Sequence, residues 1–322
     1  MNMKFYKNKK ILIAGGSGLV GTNLFLELIK FNKKITASYY KSKPKNKFKK
    51  YYKKFNFLNF KDCIKATKNK DIVFILAVKQ SGILNLKKNY ENYINNNFLI
   101  RSNLLRSCKI NKVKKIIWVS SSTIYQPYKK KISENSLNLN IDPYDIYYGT
   151  GWLYRYLEKL FLFFKKNNKI DVRIIRTSAI YGPHDNFNDK TSHVIPSLIK
   201  KCFKKGRYLK VLGKPDVTRD FVFVKDLINA IIMIAQKKTA TTPINFSYGK
   251  ACTIKELAKI ILDKSNQKKK IKFIKNNKSS ADYRVLNNKK FDHNFPYFTR
   301  TPLKKGIYET INWYKSSKKR SN

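Results

Sequence analysis

Short apolar runs alternate with amphipathic segments through the first half of the chain. KILIA (Lys10–Ala14) and DIVFILA (Asp71–Ala77) are apolar at nearly every position, which is typical of strands buried on both faces of a parallel sheet. Between such runs, apolar residues recur with helical spacing. The alternation predicts an α/β fold, a Rossmann-type doubly wound parallel sheet. Its predicted strands are Lys10–Ala14, Ile35–Tyr39, Asp71–Ala77, Lys115–Ser120 and Asp171–Thr177, and its predicted helices are Thr22–Phe31, Tyr90–Ile110 and Tyr148–Lys166.

The rhythm of the pattern changes after Ile180, where shorter elements predict a smaller C-terminal substrate-binding lobe. We assign residues 1–178 plus 217–249 to an NADP-binding Rossmann domain, and 179–216 plus 250–322 to the lobe. The tail 264–300 is rich in Lys and Asn and is predicted to be irregular. The other elements predicted here are helices at Val194–Phe203, Lys225–Gln236, Thr253–Asp263 and Leu303–Tyr314, and strands at Tyr208–Leu212 and Thr218–Val224.

Composition changes this picture little. The net charge of +51 would suggest a nucleic-acid partner. The lysines, however, are spread along the chain with abundant Asn, Ile, Tyr and Phe, as an A/T-biased genome would produce. We therefore expect no nucleic-acid partner. A nucleic-acid-binding protein remains an alternative hypothesis, and charge is the single feature that supports it. The basic run at 41–54 is either a solvated face or an anion-binding patch.

Cysteine usage and the N-terminal segment bear on location. The four cysteines form no CxxC pair and there are only three histidines, so we expect neither a metal site nor a disulfide framework. This cysteine usage fits a protein of a reducing compartment. The basic and then apolar start resembles a signal peptide, but glycines interrupt its apolar run. We expect a cytoplasmic protein without a membrane span.

A glycine-rich loop, GGSGLVG at 15–21, separates the first strand from the first helix. Gly15, Gly18 and Gly21 would let the backbone approach a pyrophosphate and let helix and strand pack closely. Leu19 and Val20, in the same loop, are also assigned to cofactor binding, and the free N–H groups of the helix N-terminus would bind the phosphates. The strand–loop–helix context predicts a dinucleotide site.

The end of the second strand indicates which dinucleotide binds. An acidic side chain there would hold the ribose 2′-hydroxyl of NAD, but the sequence continues Ser38-Tyr39-Tyr40-Lys41. Because Lys41 can meet a 2′-phosphate, we predict NADP as the cofactor, with NAD as the alternative.

Beyond the sheet, GPHDNF at 182–187 and SHVIP at 192–196, together with the glycine loop, resemble the extended short-chain dehydrogenase/reductases that act on nucleotide sugars. Among these, GDP-L-fucose synthases are the most similar. The resemblance implies a nucleotide-sugar substrate and NADP(H)-dependent reduction of a 4-keto-6-deoxysugar, with or without epimerisation. It places Ala77 beside the nicotinamide, in a loop where Gln80 and Ser81 depart from the family pattern.

The same resemblance assigns catalytic residues. It makes Ser121 the serine that hydrogen-bonds the reacting carbonyl. Thr123 stands where the family has a cysteine, which works with a histidine, here His193, in epimerisation. A thiol with a pKa near about 8.5 can act as a base, whereas a threonine hydroxyl cannot do so near neutral pH. Epimerisation is therefore expected to be slow.

The family also places a lysine four residues after a catalytic tyrosine, on the same helix face, and this chain lacks that lysine. PYDIYYGTG at 143–151 offers three tyrosines, of which we predict Tyr148 as the acid. Arg155, two turns on, is the candidate replacement cation, at about 10 Å along the axis. The alternatives left open are Tyr144, Tyr147, and a register that uses Thr150 and Tyr154.

On the substrate side, the resemblance assigns Asn186, Lys201 and Arg219. Arg219 would grip the sugar diphosphate, because a guanidinium suits phosphate. Alternatives to the reductase/epimerase are a dehydratase or C4-epimerase of the same superfamily, or a protein that binds cofactor and has lost catalysis. We further predict a homodimer formed through helices 90–110 and 148–166, as in relatives.

Overall fold

The apolar runs form strands close to their predicted positions. The computed structural model describes residues 3–44, 47–79, 90–189, 191–237, 242–274 and 281–319. The strands of this part of the chain are β1 (Ile11–Ala14), β2 (Ile35–Tyr39), β3 (Tyr52–Lys54), β4 (Ile72–Ile75), β5 (Lys115–Ser121), β6 (Asp171–Thr177), β7 (Ala179–Tyr181), β8 (Tyr208–Leu212), β9 (Thr218–Arg219), β10 (Phe221–Phe223), β11 (Ile244–Phe246), β12 (Cys252–Thr253), β13 (Lys270–Ile274) and β14 (Tyr283–Arg284).

Helices follow most of these strands. Thr253 and Glu256 form a capping box at the start of one of them, so that predicted helix start is confirmed. The helices of the described ranges are α1 (Leu19–Leu28), α2 (Phe60–Thr67), α3 (Tyr90–Ile110), α4 (Tyr148–Asn167), α5 (Val194–Cys202), α6 (Val224–Gln236), α7 (Ile254–Ser265), α8 (Lys289–Asn294) and α9 (Leu303–Lys319).

Seven parallel strands form the main sheet, in the order β11-β6-β5-β4-β1-β2-β3. The predicted doubly wound fold is confirmed. Chain order reverses beside β1, which lies between β2 and β4. In such sheets ligands bind in the crevice at the carboxyl ends of the strands next to this switch point.

Both faces of the sheet are covered, because alternate residues of a strand point to opposite sides. On β1, Ile11 and Ile13 join a buried cluster with α1 and α6. Leu12 and Ala14 join a second cluster with α2, α3 and α4. Burial on both sides explains why the central strands are apolar at every position.

A third apolar cluster holds the smaller lobe together. It joins α5, α7 and α9 to β8, through residues such as Leu198, Leu257, Ile307 and Leu209. The chain division predicted above stays a prediction, although this separate core is what such a division would require.

The prediction of an irregular tail over 264–300 is wrong. β13 pairs in parallel with β8, β14 pairs in parallel with β9, and α8 packs on β11. Each element is too short, and too rich in Lys and Asn, to give a periodic signal, and each is stabilised by a partner distant in the sequence. This correction matters because β14 reaches the candidate site.

The cysteines Cys63, Cys108, Cys202 and Cys252 are buried and free. Within the described ranges, no helix combines the length and apolarity needed to cross a membrane. The same ranges hold no group of three or more His, Cys, Asp and Glu side chains placed to bind a metal ion.

Candidate active site

The glycine loop is folded tightly against the carboxyl ends of β1 and β4. Gly15 has a left-handed φ of +93°, and a Cβ added there would lie 2.6 Å from the backbone nitrogen of Ala77. A Cβ on Gly21 would lie 2.1 Å from the carbonyl oxygen of Gly15. Only glycine fits these positions. Ala77 lies beside Gly15, and its place beside the nicotinamide stays a prediction.

Gly18 is the residue that immediately precedes α1 and leaves the N-terminus of the helix open. The residue has an extended conformation, and no side chain of the described residues caps the helix. A Cβ on Gly18 would meet only the Gly15 oxygen, at 3.5 Å. The first-turn N–H groups, including those of Leu19 and Val20, can therefore bind phosphate. This cradle fits the diphosphate of a nicotinamide dinucleotide.

Ser38 ties the glycine loop to β2, which the sequence interpretation missed. Its hydroxyl accepts a hydrogen bond from the Gly15 nitrogen at 2.8 Å. Lys41 follows three residues later and is exposed. Its contact with a 2′-phosphate stays a prediction, and Gln80 and Ser81 lie outside the described residues.

Ser121 and Thr123 lie together at the carboxyl end of β5. The Thr123 hydroxyl donates to the Ser121 hydroxyl at 3.0 Å, and the Thr123 nitrogen donates to the same oxygen at 3.2 Å. Because the Ser121 oxygen accepts both bonds, its own proton is directed elsewhere. Ser121 can thus donate to a carbonyl in the crevice.

A buried ion pair stabilises the carboxyl ends of β5 and β6. Arg176 on β6 lies 2.7 Å from the Glu158 carboxylate, and the Ser120 hydroxyl donates to Glu158 at 2.5 Å. Arg176 also donates to the Tyr125 hydroxyl at 2.8 Å. The network fixes the strand ends that present Ser121.

The three candidate tyrosines lie just before and at the start of α4, in different surroundings. The Tyr144 hydroxyl donates to the backbone oxygen of Tyr283 at 2.7 Å. Tyr148 is the first residue of α4, is 52% exposed and interacts with Tyr90. The assignment of Tyr148 as the acid stays a prediction.

The other residues considered for this helix have structural contacts. Arg155 donates to the backbone oxygens of Ile124, at 2.7 Å, and Ile141, at 2.8 Å. The Tyr154 hydroxyl accepts from Arg101 at 2.9 Å and is buried. Arg155 is therefore directed at backbone oxygens.

Tyr147 contacts two arginines. The guanidinium carbon of Arg284 lies 4.6 Å from the centre of the Tyr147 ring, and the charges of Arg284 and Arg219 both act on the tyrosine. Burial would raise the pKa of Tyr147, but the two cations outweigh this effect and lower the pKa.

Arg219 and Arg284 are neighbours in the small sheet formed by β9, β12 and β14. They are direct partners in the parallel pairing of β9 with β14. Burial and the charge of Arg284 lower the pKa of Arg219 to about 10, which leaves it cationic at neutral pH. Nη1 of Arg284 is buried and, among the described residues, has no hydrogen-bond partner. Two such guanidinium groups fit a doubly charged anion. The sequence interpretation missed Arg284 because it lies in the tail.

His193 immediately precedes α5, is exposed, and experiences the charge of Arg284. Partial loss of hydration and this charge both lower its pKa, which favours the neutral imidazole, the form that can accept a proton. Asn186 donates to Thr191 at 2.8 Å, and Lys201 donates to the Lys210 oxygen at 3.2 Å. Substrate contacts by Asn186 and Lys201 stay predictions.

Comparison with known proteins agrees with this geometry. The family model described as "NAD dependent epimerase/dehydratase family" matches residues 11–249. A GDP-L-fucose synthase of Escherichia coli (strain K12) is 25% identical over 268 residues, which cover 77% of this chain and 81% of the relative.

Two solved structures share the fold. A UDP-N-acetylglucosamine 4-epimerase from Methanobrevibacter ruminantium M1, in complex with UDP-N-acetylmuramic acid, has a TM-score of 0.84 at 24% identity and covers 97% of this chain and 99% of its own. A GDP-L-fucose synthetase from Naegleria fowleri, bound to NADP, has a TM-score of 0.81 at 20% identity and covers 97% of this chain and 94% of its own.

Proposed function

The chain belongs to the NAD dependent epimerase/dehydratase family, and from this premise we propose that it reduces a keto group on a nucleotide-activated sugar. The observation that carries the proposal is the pair Arg219 and Arg284, adjacent across β9 and β14 and in contact with Tyr147. A diphosphate is the anion that such a pair suits best.

The cofactor we propose is NADP(H), held through its diphosphate by the loop from Gly15 to Gly21. When bound, a reduced nicotinamide supplies a hydride. Lys41, two residues after β2, supports NADP. Among the structural neighbours, one is bound to NADP and another to NAD. NAD is the alternative, and a binding competition between NADP and NAD would show which cofactor the protein prefers.

On the substrate, we propose that Arg219 and Arg284 hold the diphosphate and that Asn186 and Lys201 contact the same molecule. A GDP-activated 4-keto-6-deoxysugar is favoured because the E. coli relative is a GDP-L-fucose synthase. Ser121 would hydrogen-bond the keto oxygen, since its proton is free for a bond into the crevice. A tyrosine of the segment 144–148 would supply the proton, with Tyr148 as the candidate from the sequence.

Epimerisation beside the keto group is proposed to be slow. His193 is neutral and can take a proton, but the hydroxyl of Thr123 is too weak an acid or base to complete the pair. In deuterium oxide, Thr123→Cys should increase solvent deuterium uptake into the substrate. Fast uptake by the wild type, without a gain in the variant, would contradict this part of the proposal.

The experiment that tests the function is oxidation of NADPH on addition of a panel of nucleotide 4-keto-6-deoxysugars, with product stereochemistry from NMR. We expect turnover with at least one member. The absence of a lysine four residues after each candidate tyrosine favours a second candidate, a protein that binds cofactor without catalysis. Cofactor binding without turnover on the whole panel would select that candidate. Conversion of a nucleotide sugar without a keto group, with no net oxidation or reduction of the cofactor, would instead select a dehydratase or C4-epimerase.

A further inference from the structure

The start of α4 and strand β14 together supply a catalytic group that the helix alone lacks. We propose that Tyr147 donates the proton in the reduction, and that Arg284, from the far end of the chain, serves as the cation beside it. This inference rests on the proposed function and names its acid.

The helix that follows Tyr147 packs against the turn that holds Ser121 and Thr123. Tyr147 ends the 3-10 turn Asp145–Tyr147 and immediately precedes α4. In the first turn of α4, a Cβ on Gly151 would lie 2.7 Å from the backbone oxygen of Thr123. The backbone therefore brings the segment that carries Tyr147 close to the Ser121 and Thr123 hydroxyls.

The neighbouring tyrosines have other surroundings. Tyr148 shares its face with Trp152, whose indole donates to Asp142 at 2.8 Å, and Tyr148 is 52% exposed. The Tyr144 hydroxyl already donates its proton to the backbone oxygen of Tyr283. A donor needs a proton free for substrate and a controlled electrostatic environment, and of the three tyrosines Tyr147 meets both conditions best.

The charges around Tyr147 suit proton donation. Arg284 and Arg219 face it and stabilise its phenolate, against the effect of burial. Asp282 and Tyr144 raise the pKa of Arg219, whereas Arg284 lowers it. The charge of Arg284 also lowers the pKa of His193. The net effect is a lowered pKa, which makes the phenol a better acid than free tyrosine.

The chemical step balances with these groups. Reduction of a ketone adds a hydride to the carbonyl carbon and a proton to its oxygen. The nicotinamide cofactor supplies the hydride, the Tyr147 hydroxyl supplies the proton, and Ser121 hydrogen-bonds the same oxygen. The phenolate that remains is stabilised by Arg284 until water reprotonates it.

A tyrosinate titration tests the pairing without turnover. The ultraviolet difference between wild type and Tyr147→Phe should show one tyrosine that ionises below about pH 10, the ordinary tyrosine value. Arg284→Gln should move that step to higher pH, and Arg284→Lys should keep it closer to wild type. A wild type whose difference spectrum shows no step below pH 10 would overturn the proposal.

Single-turnover reduction then tests the donor role. Tyr147→Phe should lower the rate by about 100-fold or more while cofactor affinity is kept, and by far more than Tyr148→Phe. Tyr156→Phe, on the exposed side of α4, is the matched control and should be unchanged. A larger loss in Tyr148→Phe or Tyr144→Phe would overturn the assignment of Tyr147 alone. No reduction by wild type, with cofactor bound, would overturn the proposed function and the donor role with it.

Discussion

The guanidinium carbon of Arg284 lies 4.6 Å from the ring centre of Tyr147. The two residues come from elements that are distant in the sequence, the start of α4 and the short strand β14. Their contact means that the C-terminal segment completes the candidate site rather than merely covering the lobe. It also gives the site a cation, which α4 does not supply because no lysine lies four residues after any candidate tyrosine.

The pH dependence of reduction should report this contact. The reaction needs Tyr147 protonated, so the rate should fall as pH rises through its lowered pKa. Removing the cation by Arg284→Gln should raise that pKa and move the alkaline limb of the pH–rate profile to higher pH. Arg207→Gln removes an exposed arginine elsewhere and should leave the limb in place. Identical limbs in wild type and Arg284→Gln would contradict the coupling.

Cofactor binding should depend on bulk and charge at Gly18. Gly18→Glu should abolish NADP(H) binding, because it places a negative side chain at the helix N-terminus beside the pyrophosphate. Gly18→Ala is the matched control, since a Cβ there has room, and it should fold normally and keep more affinity. Calorimetry that gives wild-type affinity for Gly18→Glu would show that the cofactor binds elsewhere.

Asp185 should destabilise the fold at neutral pH. It is 8% exposed, and burial raises its pKa to about 7, although the Asn186 nitrogen donates to it at 2.7 Å. Because the folded pKa lies above the unfolded value of about 3.9, stability falls as pH rises from about 4 to about 7 and then levels off.

Asp185→Asn keeps the shape and removes this ionisation. We expect it to raise the free energy of unfolding by roughly 1–4 kcal/mol at pH 8 and by little at pH 4. Urea unfolding at both pH values measures the difference. An equal effect at both pH values would mean that Asp185 does not ionise in the folded state as described.

The outer faces of α3 and α4 should form a homodimer interface. Leu99, Tyr156 and Phe163 are 43%, 55% and 59% exposed there, so their apolar side chains are available for an interface. Light scattering should give a dimer at micromolar concentration, and Tyr156→Glu with Phe163→Glu should give a monomer. Tyr297→Glu, at an exposed aromatic residue elsewhere, should stay dimeric. A monomeric wild type would contradict the prediction.

The sequence predicted the sheet well because its signals are local. Strands Ile35–Tyr39 and Asp171–Thr177 have their predicted bounds, since each is a short, mainly apolar run between polar turns. Arg284 could not be found in this way. Its position depends on a two-residue strand that pairs with β9, and such long-range pairing leaves no periodic pattern.

The choice among the tyrosines could not be made from the sequence for a related reason. Tyr144, Tyr147 and Tyr148 differ by where the short 3-10 turn at Asp145–Tyr147 ends and α4 begins. A shift of one residue at a helix start rotates each side chain by about 100°. Their distinct partners were therefore visible only once the backbone was known.

The most direct test of the central claim is transfer of deuterium from NADPH labelled at the transferable position of the nicotinamide. The wild-type protein is incubated with the labelled cofactor and the nucleotide 4-keto-6-deoxysugar that it turns over best, and the sugar product is analysed by mass spectrometry and NMR. Our account predicts one deuterium on the carbon that carried the keto group, and a much slower transfer by Tyr147→Phe. A protein that binds the cofactor yet yields no deuterated product from any of these substrates would contradict it.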